Sequence, residues 1–113
     1  MIDLNGFKQI NDNYGHAEGD LALCIVADLL RKSFSEYGVV TRYAGDEFVI
    51  MLNTTDDQLI QKIIKSAKKN FVTENEKNDK PYQLSASMGY AITNLSNETI
   101  DDFMNRIDEQ MYQ

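Results

Sequence analysis

The chain has 113 residues, which is enough for one compact domain and too few for two ordinary ones. Its net charge of −7 argues against general nucleic-acid binding, because such binding relies on many Lys and Arg side chains. The longest uninterrupted apolar run, residues 21–27, is far too short to span a bilayer, and no leader pattern opens the sequence, so we expect no membrane segment here.

The first part of the chain predicts one strand and two helices. Residues 1–4 are apolar with an acid near their end, which is typical of the tail of a buried strand. Asn5 fits the N-cap of a short helix over residues 7–13. Apolar residues at three- and four-residue steps predict a helix over residues 17–34, which we expect to be the longest. Its single cysteine, Cys24, is interpreted as a small core residue in a reducing cytoplasm.

The middle of the chain predicts a β-hairpin followed by a helix. Residues 39–43 and 48–52 are β-rich and flank an acidic turn, which favours a hairpin. Apolar residues again recur at helical steps over residues 59–71. Residues 73–80 are polar and charged, so we expect a surface loop there.

The last part of the chain predicts a strand and a final helix. Apolar residues alternate with small polar ones over residues 84–92, which indicates one long strand, and an apolar stripe predicts a helix that begins near Glu98. The element order β, α, α, β, β, α, β, α predicts an α+β domain with a central, mostly antiparallel sheet flanked by helices.

Two acidic positions predict a metal site. Asp46 lies with Glu47 at the hairpin tip, and Asp3 lies at the end of the first strand. Mg²⁺ prefers hard oxygen ligands and pairs one or two carboxylates with substrate phosphates, and neighbouring strands would bring Asp3 and Asp46 together. Taken alone, Asp3 is equally an ordinary strand-end acid, and the tip is equally a solvated acidic turn.

Several motifs together are similar to one known family. They are Asp3-Leu4-Asn5-Gly6-Phe7-Lys8, Ile10-Asn11-Asp12, Tyr14-Gly15-His16, Gly19-Asp20 and Ala44-Gly45-Asp46-Glu47-Phe48. In this order and spacing they resemble the GGDEF domains, the diguanylate cyclase family. Three features depart from that pattern: Ala44 replaces the first glycine of the signature, the chain starts inside the family's first strand, and it stops short of the family's C-terminal lysine-bearing segment. We therefore interpret residues 1–113 as a single GGDEF-type domain, incomplete at both ends.

The resemblance implies a palm-like nucleotidyl cyclase fold and a set of metal ligands. The matching positions for Mg²⁺ or Mn²⁺ are Asp3, Asp46 and the backbone carbonyl of Leu4. Glu47 matches the second acid of the signature, which is implicated in metal binding or in activating the attacking hydroxyl. Asp46 and Glu47 are thus the predicted catalytic residues. Gly45, in the turn between the two strands, is predicted to bind the substrate.

The start of the first helix predicts a phosphate site. A helix N-terminus offers amides without intrahelical acceptors, and Gly6 lets a ligand approach the backbone closely, so Asn5-Gly6-Phe7 suits a triphosphate. Lys8 adds a positive charge, although it is equally a solvated helix lysine. We expect the ring of Phe7 to pack in the core while its amide faces the ligand.

The guanine base would be read by two further residues that the resemblance indicates. Asn11 and Asp20 match the family's guanine-reading positions, and a carboxylate can accept from the two adjacent donors of guanine. From the residues alone, Asp20 could simply favour the first turns of a helix, and Asn11 could end a short one. We interpret His16 as structural, because no triad or metal partner set accompanies it.

The activity that the resemblance implies is condensation of two GTP molecules into cyclic di-GMP with release of pyrophosphate. One domain would hold one GTP, so catalysis would need a homodimer, with upstream sensory or receiver domains controlling it. The expected location is cytoplasmic, although a parent protein could be membrane-anchored through another region. The alternatives are a degenerate, non-catalytic GTP-binding or partner-binding regulatory domain, and a generic α+β domain with acidic loops.

A regulatory motif of the resembled family is missing. Many of its cyclases carry an Arg-x-x-Asp site that binds their own product, five residues before the signature. Ser35 and Gly38 stand at those two positions here. We therefore expect no tight product inhibition through this surface.

Overall fold

The computed structural model describes residues 1–92 and 99–111, and in these it shows four strands and four helices. In chain order they are β1 (Ile2–Leu4), α1 (Phe7–Tyr14), α2 (His16–Phe34), β2 (Gly38–Ala44), β3 (Glu47–Leu52), α3 (Asp57–Glu76), β4 (Ala86–Met88) and α4 (Ile100–Met111). The strands form one antiparallel sheet in the order β2-β3-β1-β4. The predicted α+β class, the antiparallel sheet and the element order are confirmed.

Strand β1 lies inside the sheet, between β3 and β4. Ile2 and Leu4 are buried in the main hydrophobic cluster together with Phe48 of β3. Because successive side chains of a strand point to opposite faces, Asp3 projects from the face opposite Ile2 and Leu4. Burial of this short strand therefore places one acid on the second face of the sheet.

Helix α2 packs its apolar stripe into the core, as its spacing predicts. Leu23, Val26, Leu30 and Phe34 are buried. Cys24 is exposed, so its interpretation as a core residue is wrong. The reason is rotation: one residue along a helix turns about 100°, which carries Cys24 off the stripe that Leu23 occupies.

Helix α3 corrects two predictions about length. It has 20 residues against 19 in α2, so α2 is not the longest helix, and it continues to Glu76 through part of the segment 73–80 that we expected to be a loop. Tertiary contacts stabilise its polar last turns. The side chain of Asn75 donates to the carbonyl of Leu84 at 2.8 Å and accepts from the Leu84 amide at 2.7 Å. Local composition cannot reveal this long-range pairing.

Strand β4 is much shorter than predicted for residues 84–92, because only Ala86–Met88 form a strand. Its partner β1 has three residues, and the pairing covers those three alone. Two further backbone hydrogen bonds end the ladder, one from Gly89 to the Met1 carbonyl at 3.0 Å and one from Asn5 to the Ser85 carbonyl at 2.9 Å. Alternating apolar residues do not extend a strand beyond the end of its partner.

The final helix is described from Ile100 to Met111, so the predicted helix is confirmed, while its expected start near Glu98 falls outside the described residues. Ile107 of its apolar stripe is buried. Of the helices that the structure describes, none is long and apolar enough to cross a membrane.

Candidate active site

Three predicted acidic residues meet where β1 ends beside the tip of the β2–β3 hairpin. Asp3 of β1 lies directly opposite Glu47 of β3 in the antiparallel register. The amide of Leu4 donates to the carbonyl of Asp46 at 3.0 Å, which fixes the tip against the strand. Sequence patterning predicted this meeting of Asp3 with the acidic turn, and the register confirms it.

The surroundings of Glu47, including the neighbouring acids, oppose its ionisation. Partial burial raises the pKa of the Glu47 carboxyl, and the nearby carboxylates of Asp3, Asp46 and Asp108 raise it further. Asp108 lies on α4 and was missed by the sequence analysis. No local signal marks Asp108, because its nearness to Glu47 depends on how α4 packs against the sheet.

The residues fit a metal site that needs further ligands from a substrate. In residues 1–92 and 99–111, no group of three or more acidic, histidine or cysteine side chains is arranged to hold a metal ion. Mg²⁺ commonly takes only one or two carboxylates from the protein and completes its shell with phosphates and water. Two carboxylates from among Asp3, Asp46 and Glu47, with the Leu4 carbonyl at the same strand end, could supply that smaller share.

The hairpin tip accommodates alanine at position 44. Ala44 is exposed at the end of β2 and pairs with Glu47 after a register shift. Gly45 has a positive φ of 37°, whereas Ala44 does not have a positive φ. Only Gly45 therefore requires the freedom of glycine. Arg42, which the sequence analysis left without a role, donates from Nε to the Gly45 carbonyl at 2.8 Å and braces the tip.

The start of α1 differs in one detail from the prediction. The N-cap is Gly6, with φ 70° and no side-chain capping bond, so the assignment of Asn5 as N-cap is wrong. Asn5 is turned towards β4 instead, and its amide donates to the Ser85 carbonyl at 2.9 Å. The backbone amide of Asn5 is thus already used, while those of the first turn of α1 have no intrahelical acceptor.

The other predicted phosphate residues lie along this first turn. Lys8 is exposed, and Phe7 is partly buried with its ring against the core, as expected. A bare helix start with a neighbouring lysine is a favourable environment for an anion.

The two predicted guanine-reading residues lie on successive helices, Asn11 on α1 and Asp20 on α2. Asn11 contacts Gly19, the residue before Asp20, so closely that a methyl group at Gly19 would displace the side-chain oxygen of Asn11. Asp20 is exposed and lines a groove of about 460 Å³, together with Arg31 and Arg42. His16, the first residue of α2, is exposed at the corner between the two helices.

An aromatic pair that the sequence analysis did not single out supports this corner. The rings of Tyr14 and Tyr82 lie 5.4 Å apart, and the Tyr82 hydroxyl donates to Glu18 at 2.8 Å. Burial, followed by the hydrogen bond to Glu18, raises the pKa of Tyr82 to about 12. The phenol therefore stays protonated near neutral pH and remains a donor to Glu18 on α2.

The backbone at Gly38 is packed too closely against β3 to admit a side chain. A Cβ at Gly38 would lie 2.9 Å from the Cα of Leu52 and closer still to the Met51 carbonyl. An aspartate at Gly38 would force β2 and β3 apart, and Ser35 contributes no guanidinium. Strand packing thus disfavours the aspartate of an Arg-x-x-Asp pair at position 38.

Comparisons with known sequences agree with this geometry. A family model described as "Diguanylate cyclase, GGDEF domain" matches residues 1–113. Diguanylate cyclase A of Treponema denticola is 32% identical over 114 residues, covering 100% of this chain and 31% of that protein. Cyclic di-GMP phosphodiesterase NbdA of Pseudomonas aeruginosa is 44% identical over 57 residues, covering 50% of this chain and 7% of that protein. The chain thus spans about a third or less of the length of these relatives.

Structural comparison supports the same assignment. The active GGEEF domain of a diguanylate cyclase from Vibrio cholerae has a TM-score of 0.77 at 26% identity, covering 98% of this chain and 70% of that one. The palm-like fold that the motifs implied is therefore confirmed. With a family match along its whole length and solved GGDEF domains as structural neighbours, the chain belongs to the GGDEF domain family.

Proposed function

We propose that this domain, in its full-length protein, condenses two GTP molecules into cyclic di-GMP and two pyrophosphates. The observation that carries the proposal is the facing of Asp3 and Glu47 beside Asp46, with the pKa of Glu47 raised. Carboxylates that raise the pKa of a neighbouring carboxyl favour a bound cation, which would offset their mutual repulsion. Family membership supports a role in cyclic di-GMP signalling.

Each GTP would be held at both ends. The first turn of α1 and Lys8 would bind its phosphates, and Asn11 and Asp20 would read its guanine. Asp3, Asp46, Glu47 and the Leu4 carbonyl would hold Mg²⁺ or Mn²⁺. A bound divalent cation would neutralise charge on the phosphates and lower the pKa of the attacking hydroxyl.

The proposed reaction balances as two identical displacements. The 3′ oxygen of one GTP bonds to the α-phosphorus of the other, the bond from that phosphorus to its bridging oxygen breaks, and pyrophosphate leaves. The proton of the 3′-hydroxyl must be accepted. The Glu47 carboxylate, which lies opposite Asp3 at the same strand end, would accept it.

Two copies of the domain must meet for this reaction, because each would hold one GTP and each 3′-hydroxyl must reach the other nucleotide. We accordingly propose a homodimer as the catalytic form, under control of an upstream sensory or receiver domain, in the cytoplasm.

The direct test incubates the full-length protein with GTP and Mg²⁺ and analyses the products by mass spectrometry. We expect cyclic di-GMP from GTP, and no cyclic dinucleotide when ATP replaces GTP or when the cation is chelated. Bound GTP that is never converted would contradict catalysis.

The second candidate is a non-catalytic domain that binds GTP or a partner and regulates a neighbouring activity. Its support is the similarity of half of the chain to a protein named as a cyclic di-GMP phosphodiesterase. Ala44 is weak support, because it occupies its position without a positive φ. Tight GTP binding without product would favour this candidate.

A further inference from the structure

Two serines hold the side chain of Asn5: Ser87 of β4, and Ser85, which directly precedes that strand. The hydroxyl of Ser87 donates to Asn5 Oδ1 at 2.9 Å, and Asn5 Nδ2 donates to the hydroxyl of Ser85 at 3.2 Å. The backbone amide of Asn5 also donates to the Ser85 carbonyl at 2.9 Å. Three hydrogen bonds thus join Asn5, the residue before the N-cap of α1, to Ser85 and Ser87, some 80 positions later in the chain.

The strand register explains why these serines reach the site. Ser87 pairs directly with Asp3, and Ala86 pairs with Leu4, whose side chain is buried. Since side chains alternate between faces, Ser85 and Ser87 lie on the same face of the sheet as Asp3. The serine pair therefore lies alongside residues 3–5, with Ser87 opposite Asp3 and Ser85 bonded to Asn5.

These bonds determine what the start of α1 can offer to a ligand. An asparagine before a helix often accepts from the amides of its first turn, which removes those donors. Here the side chain of Asn5 is held by β4, and α1 begins at Gly6 with no side-chain cap. The first-turn amides are thereby left available, at a position that is tied to β4 and hence to Asp3.

We propose that Ser85 and Ser87 are positioning residues for the triphosphate of GTP, an inference that rests on the proposed function. They hold Asn5, and through it the Gly6 loop, at a fixed distance from the Asp3 end of β1. The phosphates then meet the α1 amides and the acidic cluster in one orientation.

The first experiment compares Ser87→Ala and Ser85→Ala with Thr41→Ala in the full-length protein. Thr41 is an exposed strand residue on β2, so it controls for loss of a strand hydroxyl. Each serine variant should raise the KM for GTP about three- to tenfold with little change in kcat, as expected for loss of one neutral hydrogen bond used equally in the ground and transition states. Ser87→Thr, which restores a hydroxyl, should recover most of the wild-type KM.

The second experiment tests whether the serines act through Asn5. If they do, Ser87→Ala should add little to the KM of an Asn5→Ala variant, because the group that it positions is already gone. If Ser87 were purely structural, Ser87→Ala would raise the KM for GTP by the same factor in the wild type and in Asn5→Ala.

A binding measurement separates this inference from the proposed catalysis. Calorimetry with Mg²⁺ and 3′-deoxy-GTP, which cannot condense, should show the same three- to tenfold weakening in both serine variants even if the wild type makes no product. Equal affinity and KM in Ser87→Ala and Thr41→Ala would overturn the positioning role. A wild type that binds neither nucleotide would overturn both proposals.

Discussion

Two acidic clusters in this molecule have opposite electrostatics. In the α3 cluster, Glu74 and Asp79 contact Lys77 and Lys80 at distances from 2.7 to 3.2 Å. The hydrogen bond from Lys77 lowers the pKa of Glu74, and that from Lys80 lowers the pKa of Asp79. These acids are neutralised by lysines of the same chain.

The hairpin cluster, formed by Asp3, Asp46 and Glu47, shows the opposite effect. Partial burial and the surrounding carboxylates raise the pKa of Glu47. The comparison teaches that acid count alone does not identify a cation site. The carboxyls of the α3 cluster have pKa values that neighbouring lysines lower, whereas Glu47 of the hairpin cluster has a pKa that neighbouring carboxylates raise.

The largest expected effect separates the two clusters by activity. Asp46→Ala or Asp3→Ala should reduce cyclic di-GMP synthesis by the full-length protein by orders of magnitude, because a metal ligand in phosphoryl transfer stabilises charge in the transition state. The melting temperature should change little, since surface carboxylates contribute little to stability. Steady-state product formation measures the first effect and calorimetry the second.

The matched control is Asp79→Ala in the α3 cluster, which should keep near wild-type synthesis. Turnover above about a tenth of wild type in either Asp46→Ala or Asp3→Ala would reject the metal assignment.

A carboxylate outside both clusters should affect selectivity instead of rate. If Asp20 accepts from the edge of guanine, Asp20→Ala should raise the Kd for GTP about tenfold or more and leave the Kd for ATP nearly unchanged. Calorimetry on both nucleotides tests this. Equal GTP affinity in the wild type and the variant would leave Asp20 as an ordinary acid near a helix start.

The two clusters should respond to pH with opposite sign. The raised pKa of Glu47 means that its ionisation costs folding stability, so this loss develops as pH rises from about 4.3 through the raised value. Glu47→Gln should therefore gain stability relative to the wild type above that range, and lose the gain in acid.

Glu74→Gln should behave in the reverse way. The lowered pKa of Glu74 stabilises the fold above about 4.3, and that contribution disappears as pH falls through the lowered value. Urea unfolding of both variants between pH 3 and 7 measures the two differences. Parallel pH profiles would contradict the electrostatic contrast.

The smallest expected effect concerns a surface with neither cluster's charges. Because Ser35 supplies no guanidinium and Gly38 admits no side chain, cyclic di-GMP should not bind at residues 35–38 with sub-micromolar affinity. Titration of the full-length protein with cyclic di-GMP should accordingly show no tight binding at this surface. Sub-micromolar binding that is lost in a Ser35→Ala variant would contradict this.

Local patterning predicted the elements that carry the site. The acid at the end of β1, the hairpin with its Gly45-Asp46-Glu47 tip and the α1–α2 corner all have short-range sequence features, and the structure has each of them. Periodicity also identified the buried stripe of α2.

The contacts that the sequence did not reveal join distant positions. Asp108 acts on Glu47 from the last helix, Tyr82 bonds to Glu18, and Ser87 bonds to Asn5. Two predicted boundaries were wrong for the same reason. The short partner strand β1 limits β4, and the pairing of Asn75 with Leu84 extends α3. One-dimensional patterns record local preference and leave such partners unspecified.

The most direct measurement is a carboxyl NMR titration of Glu47, alone and with Mg²⁺ plus 3′-deoxy-GTP. Without additions, its pKa should lie above that of an ordinary glutamate, since burial and three neighbouring carboxylates oppose its ionisation. With both additions it should fall below the ordinary value, because a bound cation favours the charged form. A pKa that is ordinary at the outset, or that does not move when both are added, would contradict the assignment of this acidic cluster as the cation site.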